Sequence, residues 1–225
     1  MNRLAFILFI IGIIAIGGGA AWYLVDTRNE AFGPPPVATS TPTVEEGLAI
    51  YTNGPYGFSI FYPQEAEVEY TFNPRYHLGS LWRANALPDA EGTPIVSIIP
   101  YQVSSEDSYP RYFNAIVRVG ASMDPKELAR CEVAADDQGE TALPDVRIGE
   151  RTWKAFAFQS AGMMQYVSGI SYRTVHEGRC IALEKVRTGS SYREDAPRAK
   201  DISDETLTQE YEALSSIIES FSFAR

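Results

Sequence analysis

No charged residue occurs between Leu4 and Val25. Twenty-two uncharged residues make a helix about 33 Å long, enough to cross a hydrocarbon core of about 30 Å. Arg3 precedes the run, and Asp26, Arg28 and Glu30 follow it without a positive excess. The positive-inside rule therefore predicts a cytoplasmic N-terminus and an extracytoplasmic remainder in a single-pass topology. Two readings of the segment stay open. In one it is an uncleaved anchor, with Trp22 and Tyr23 in the aromatic belt of the outer interface. In the other it is a signal peptide, with Leu4 to Ile16 as the apolar core and Gly18 to Ala21 as the small-residue cleavage region. Both export the remainder of the chain. Neither cysteine lies near the segment, which excludes a lipid-modified cysteine anchor.

Residues 26–47 are rich in Pro, Thr and Ala and carry no hydrophobic period. They read as a solvated linker, some tens of Å long if extended as polyproline II at about 3.1 Å per residue. Residues 48–225 then make one domain of ordinary size. The sequence predicts three segments: 1–25 the signal-anchor or signal peptide, 26–47 the linker, 48–225 the folded domain. The chain's net charge is −10. Nucleic-acid binding needs a basic surface, so that class of partner is excluded. The expected membrane contact is through residues 4–25 alone.

Turn residues and period-two alternation dominate the domain. Leu48 to Tyr51 and Phe58 to Tyr62 flank Asn53-Gly54-Pro55 and read as a hairpin. Val68 to Phe72, Leu78 to Ala86, Ile95 to Val103 and Tyr112 to Gly120 are further predicted strands. Asp124-Pro125-Lys126-Glu127 is a helix start, with a capping aspartate and a proline in the first turn. That helix ends near Cys131, and residues 132–145, polar and acidic, are expected as a loop. Thr152 to Gln159, Met164 to His176 and Arg179 to Arg187 form a run of antiparallel strands, the last two joined by Glu177-Gly178. Ser203 caps a final helix whose Leu207, Tyr211, Leu214 and Ile218 make one apolar stripe. Phe221 to Phe223 is a short closing strand. The class is α+β, an antiparallel sheet flanked by a few helices.

Cys131 and Cys180 are an even pair in an oxidising compartment and predict one disulfide. A catalytic thiol is disfavoured because there is no CxxC and no adjoining histidine. Two cysteines and two histidines have no zinc spacing, and no cofactor motif is present. His77 and His176 lack a GxSxG partner, so a serine-hydrolase arrangement is not indicated. The sequence therefore predicts no catalytic, metal or cofactor residue. Tyrosine recurs beside arginine, and both residues favour binding surfaces. The expected binding face is Arg111, Tyr112, Tyr172 and Arg173.

Tyr51, Gly57-Phe58-Ser59-Ile60 and Tyr62-Pro63 resemble the opening of the PsbP-like family, whose type members are extrinsic proteins of photosystem II. Leu214 to Phe223 is similar to that family's final helix and short strand. The resemblance implies an antiparallel sheet sandwiched by helices and a non-enzymatic role in docking to or assembling a membrane complex. It carries over no ligand residue, because the matched positions are structural. The expected function is a membrane-tethered extracytoplasmic binding or assembly module with a protein partner in the envelope. The alternatives are a small-molecule carrier or sensor with a pocket between sheet and helix, and a hydrolase.

Overall fold

A computed structural model describes residues 47–75, 77–104, 112–190 and 203–224. The predicted anchor, the linker to residue 46 and Arg111 lie outside the described residues. Among the described residues no helix is long and apolar enough to cross a membrane.

The predicted first hairpin forms: β1 (Leu48–Asn53) pairs with β2 (Phe58–Pro63). The remaining strands are β3 (Glu67–Glu69), β4 (Thr93–Ser104), β5 (Tyr112–Ser122), β6 (Glu140–Ile148), β7 (Arg151–Gly162), β8 (Gln165–His176), β9 (Arg179–Ser190) and β10 (Ser222–Phe223). Helix α1 spans Pro125–Arg130 and α2 spans Asp204–Glu219. Both helix starts follow the chemistry read from the sequence. Asp124 accepts the Lys126 N–H, and Ser203 accepts the Thr206 N–H.

Seven strands form one antiparallel sheet in the order β3-β4-β5-β9-β8-β7-β6, and β1-β2-β10 form a small second sheet. Alternation along the strands divides the large sheet into two faces. Val119, Leu183, Tyr172 and Ala155 are register partners on one face. This face packs against α2 through Leu214, Ile217 and Ile218, and against the small sheet through Tyr51, Phe58 and Ile60. The other face is covered by the described residues between Phe72 and Gly92 and by α1. Leu78, Trp82 and Ala86 are buried there. The cover approaches β5 so closely that a Cβ on Gly120 would stand 1.9 Å from the Trp82 carbonyl oxygen.

Three expectations need correction. Leu78 to Ala86 is not a strand: its buried apolar residues, Leu78, Trp82 and Ala86, recur every fourth position in an irregular cover, with one isolated bridge between Arg75 and Leu78. The strand expected over Val68 to Phe72 is the shorter Glu67–Glu69. Residues 132–145 are only partly loop. They contain a 3₁₀ turn at Asp136–Gln138 and the first half of β6, an edge strand exposed at seven interior positions and therefore free of apolar alternation.

Candidate binding cleft

The predicted Tyr–Arg face is not assembled. Adjacent residues on a strand point to opposite sides, so Tyr172 and Arg173 cannot share a surface. Tyr172 packs half-buried against the α2-side core. Arg173 is fully buried under the other face, its guanidinium 3.8 Å from the centroid of the Phe156 ring. Tyr112 is 36% exposed at the start of β5. The register row of Tyr172 meets β5 at Val119, seven residues away, or about 23 Å along the strand. Arg111 lies outside the described residues.

Arg173 belongs to a buried charge network. Arg118, Glu184, Ser171 and Phe156 occupy one register row, and Arg173 sits in the next. Arg173 pairs with Glu140 at 2.6 Å and Arg118 with Glu184 at 2.5 Å. From the cover, Arg83 pairs with Glu127 of α1 at 2.6 Å and approaches Glu140 at 3.6 Å. Burial pulls the Arg173 pKa below the usual arginine value, while Glu140 opposes that shift. The carboxylates also bind backbone. Glu127 accepts from Leu87 N–H at 2.7 Å, Glu184 from Ala84 N–H at 2.8 Å, and Glu140 from Ala135 N–H at 2.9 Å. Glu184 thus fixes the cover to the sheet, Glu127 fixes it to α1, and Glu140 holds the loop that follows α1. The network orders the fold and offers no surface to a ligand.

The Cys131–Cys180 disulfide forms, with Cα atoms 5.6 Å apart. It ties the end of α1 to β9 beside this network, and both cysteines are fully buried. Such a bond fits an extracytoplasmic location.

The two histidines lie at opposite ends of β8's hairpin pairings. His77 meets the Gly162 carbonyl oxygen at 2.7 Å, beside the β7–β8 turn. His176 closes β8 at the other end, pairing with Arg179. There it lines a cleft of about 370 Å³, together with Ile148, Gly149, Arg151, Phe221 and Phe223. One wall is the β6–β7 corner, where Ile148 pairs with Arg151 across Gly149 and Glu150. Gly149 has φ +58°, a conformation that favours glycine. A Cβ there would also stand 3.1 Å from the Phe221 carbonyl oxygen. The opposite wall is β10. Its Phe223 ring stacks on Trp153 with centroids 5.9 Å apart, lies 3.8 Å from the His176 ring, and has the Arg151 guanidinium above it at 5.4 Å.

Charged groups flank the cleft, whose own lining holds one arginine, Arg151, and one acid, Glu150. Arg147 donates to the Gly149 carbonyl and Arg179 to the Pro55 carbonyl, each at 3.4 Å. With Arg151 they set three guanidiniums against Glu150 and Glu177. Burial, then the neighbouring Arg151, holds the His176 pKa below that of a free imidazole. Sequence reasoning missed Arg151 and Phe223 as site residues, because only the chain fold brings β10 beside the β6–β7 corner. The available signal was Phe221-x-Phe223, two aromatics at the end of the chain around a two-residue strand.

No known family's sequence profile matches the chain, and no curated protein does. Among solved structures it is similar to LpqN of Mycobacterium tuberculosis, described as involved in cell envelope biogenesis. That likeness covers 62% of this chain and 82% of the other, at 11% identity and a TM-score of 0.30. It is too loose to carry function, and the PsbP-like resemblance gains no support from it.

Proposed function

We propose that this chain is a membrane-tethered extracytoplasmic binding or assembly module without catalytic activity, and that its folded domain engages a protein partner in the envelope. The observation that carries the reading is the buried Cys131–Cys180 bond in a domain that follows an uncharged run of 22 residues. Thiols oxidise and stay oxidised in exported proteins. The binding role is supported by the cleft at β10, whose aromatic wall carries the Arg151 guanidinium above Phe223. The carrier alternative would need space between α2 and the sheet. That layer is filled by Leu214, Ile217, Ile218, Val117 and Leu183.

The test is surface labelling of intact cells with a membrane-impermeant amine reagent, followed by crosslinking and mass spectrometry. The exposed Lys126 and Lys154 are expected to be labelled without permeabilisation, and both cysteines to resist alkylation until reduced. Crosslinks should recover one envelope protein reproducibly. Labelling only after permeabilisation, or freely alkylated cysteines, overturns the location. A chain that forms no crosslink under these conditions overturns the binding role.

A further inference from the structure

Among the described residues β10 is an edge strand: the small sheet runs β1-β2-β10 and stops. Its hydrogen-bond parity follows from three contacts. Ala224 N–H donates to the Gly57 carbonyl at 2.7 Å, so Ala224 faces β2. Ser222 pairs with Ser59 two residues earlier and faces the same way. The Ser220 hydroxyl continues the ladder, accepting from Phe61 N–H at 2.9 Å and contacting the Phe61 carbonyl at 3.1 Å. Phe223 stands between the bonded positions. Its N–H and C=O therefore point away from β2, toward the side where the cleft opens against Ile148–Arg151.

Other free edges are guarded differently. β6 carries Pro144 and a bulge between Leu143 and Val146, two features that discourage strand addition. At β10 the open edge instead faces a cavity lined by Arg151, Glu150 and His176.

Resting on the reading of the chain as a binding module, the geometry points to strand addition. We infer that the cleft receives an extended acidic segment of a protein partner, which pairs antiparallel with Phe223 while its carboxylates meet Arg151. The main chain gives affinity in such complexes, and side chains give selectivity. The complementary charge is acidic because the Arg151 guanidinium stands over Phe223, the residue with which the segment pairs.

The probe is a blocked hexapeptide alternating valine and glutamate, added to the full chain in neutral detergent micelles. Amide exchange and shifts are read by NMR. Exchange at the Phe223 amide is expected to slow at least tenfold, with shifts at Gly149 and Arg151. Two further peptides carry N-methyl groups on alternate amides, one on each set. A strand paired along a single edge uses only one set, so one isomer should bind and the other should lose at least tenfold in affinity. Replacing glutamate by lysine in the peptide, or Arg151→Glu in the protein, should weaken binding about fivefold or more, with the protein's melting curve unchanged for the peptide series. The inference is overturned by no binding, by equal binding of the two methylated isomers, by equal binding of the lysine peptide, or by an unprotected Phe223 amide. A partner that still crosslinks to the domain after such a result would leave the binding role standing and remove only this cleft as its seat.

Discussion

Glu127→Ala tests whether the buried charges hold the cover and α1 on the sheet. Glu127 is fully buried. Its Oε2 accepts from Arg83 Nη2 at 2.6 Å and Nε at 3.0 Å, and its Oε1 accepts from Leu87 N–H at 2.7 Å. Alanine deletes all three bonds and leaves a guanidinium inside with the carbonyls of Ala84 and Asn85 and with Glu140 at 3.6 Å. Removing one member of a buried pair costs about 3–5 kcal/mol, mostly from the charge left behind. The lost bond to Leu87 N–H adds about 1 kcal/mol, and the nearby Glu140 offsets part of the total. The expected loss is about 3–4 kcal/mol, a large share of a typical stability of about 5–15 kcal/mol. Urea titration followed by fluorescence of the buried Trp82 and Trp153 measures it. The paired change Arg83→Met with Glu127→Leu removes both charges and should cost less than Glu127→Ala alone. A single-variant loss below about 1 kcal/mol, or a double variant no better than the single, refutes the reasoning.

Reducing the disulfide, or Cys131→Ser, opens a connection of 49 residues and should cost about 3–4 kcal/mol by chain entropy, read as a lower urea midpoint. An unchanged midpoint would show that the network alone fixes α1. The native His176 pKa is depressed, so near pH 6 the folded state binds fewer protons than the unfolded chain. Stability should therefore fall as pH drops through about 6.5, the unfolded value, and level off below the folded one. Arg151→Gln should raise the His176 pKa in an NMR titration, and an unchanged or lower value contradicts the charge assignment. Glu177 and Arg179 remain as the other charges acting on that ring. Met163 and Met164 form the two-residue β7–β8 turn at φ +50° and +66°. Replacing them by Asn and Gly should raise stability by about 1–2 kcal/mol, because L side chains are strained there. A lower melting temperature would refute that view of the turn. Gly120→Ala should lower stability by about 1–3 kcal/mol or more, since the new Cβ collides with the Trp82 carbonyl. A neutral result would mean the cover shifts freely.

The legible parts of this fold were those in which one residue type has one physical use. Asp124-Pro125 and Ser203 start helices because few other local arrangements use a capping oxygen beside a first turn. Glu177-Gly178 closes a hairpin because both residues must take positive φ. Leu214 and Ile218 mark the buried stripe of α2. Alternation alone does not say which face of a strand is dry. Asn114 and Arg118 alternate with the apolar residues of β5, yet they are 3% and 2% exposed. The sheet is covered twice, and its second cover is a segment without regular structure, rich in Gly and Pro, that has no amphipathic period to announce it. Period two reports that two faces differ; it does not report that one of them is wet. Arg173 entered the expected binding face because it adjoins Tyr172, although strand geometry alone sets the two on opposite sides. The cleft was illegible for another reason. Residues 148–151, His176 and Phe223 meet only because the chain's final strand joins the first hairpin rather than the large sheet. That choice follows from Phe221 burying against Phe58 and Trp153, contacts that link the two ends of the domain. Long-range aromatic packing thus sets where β10 ends, and so decides which edge of the domain stays open.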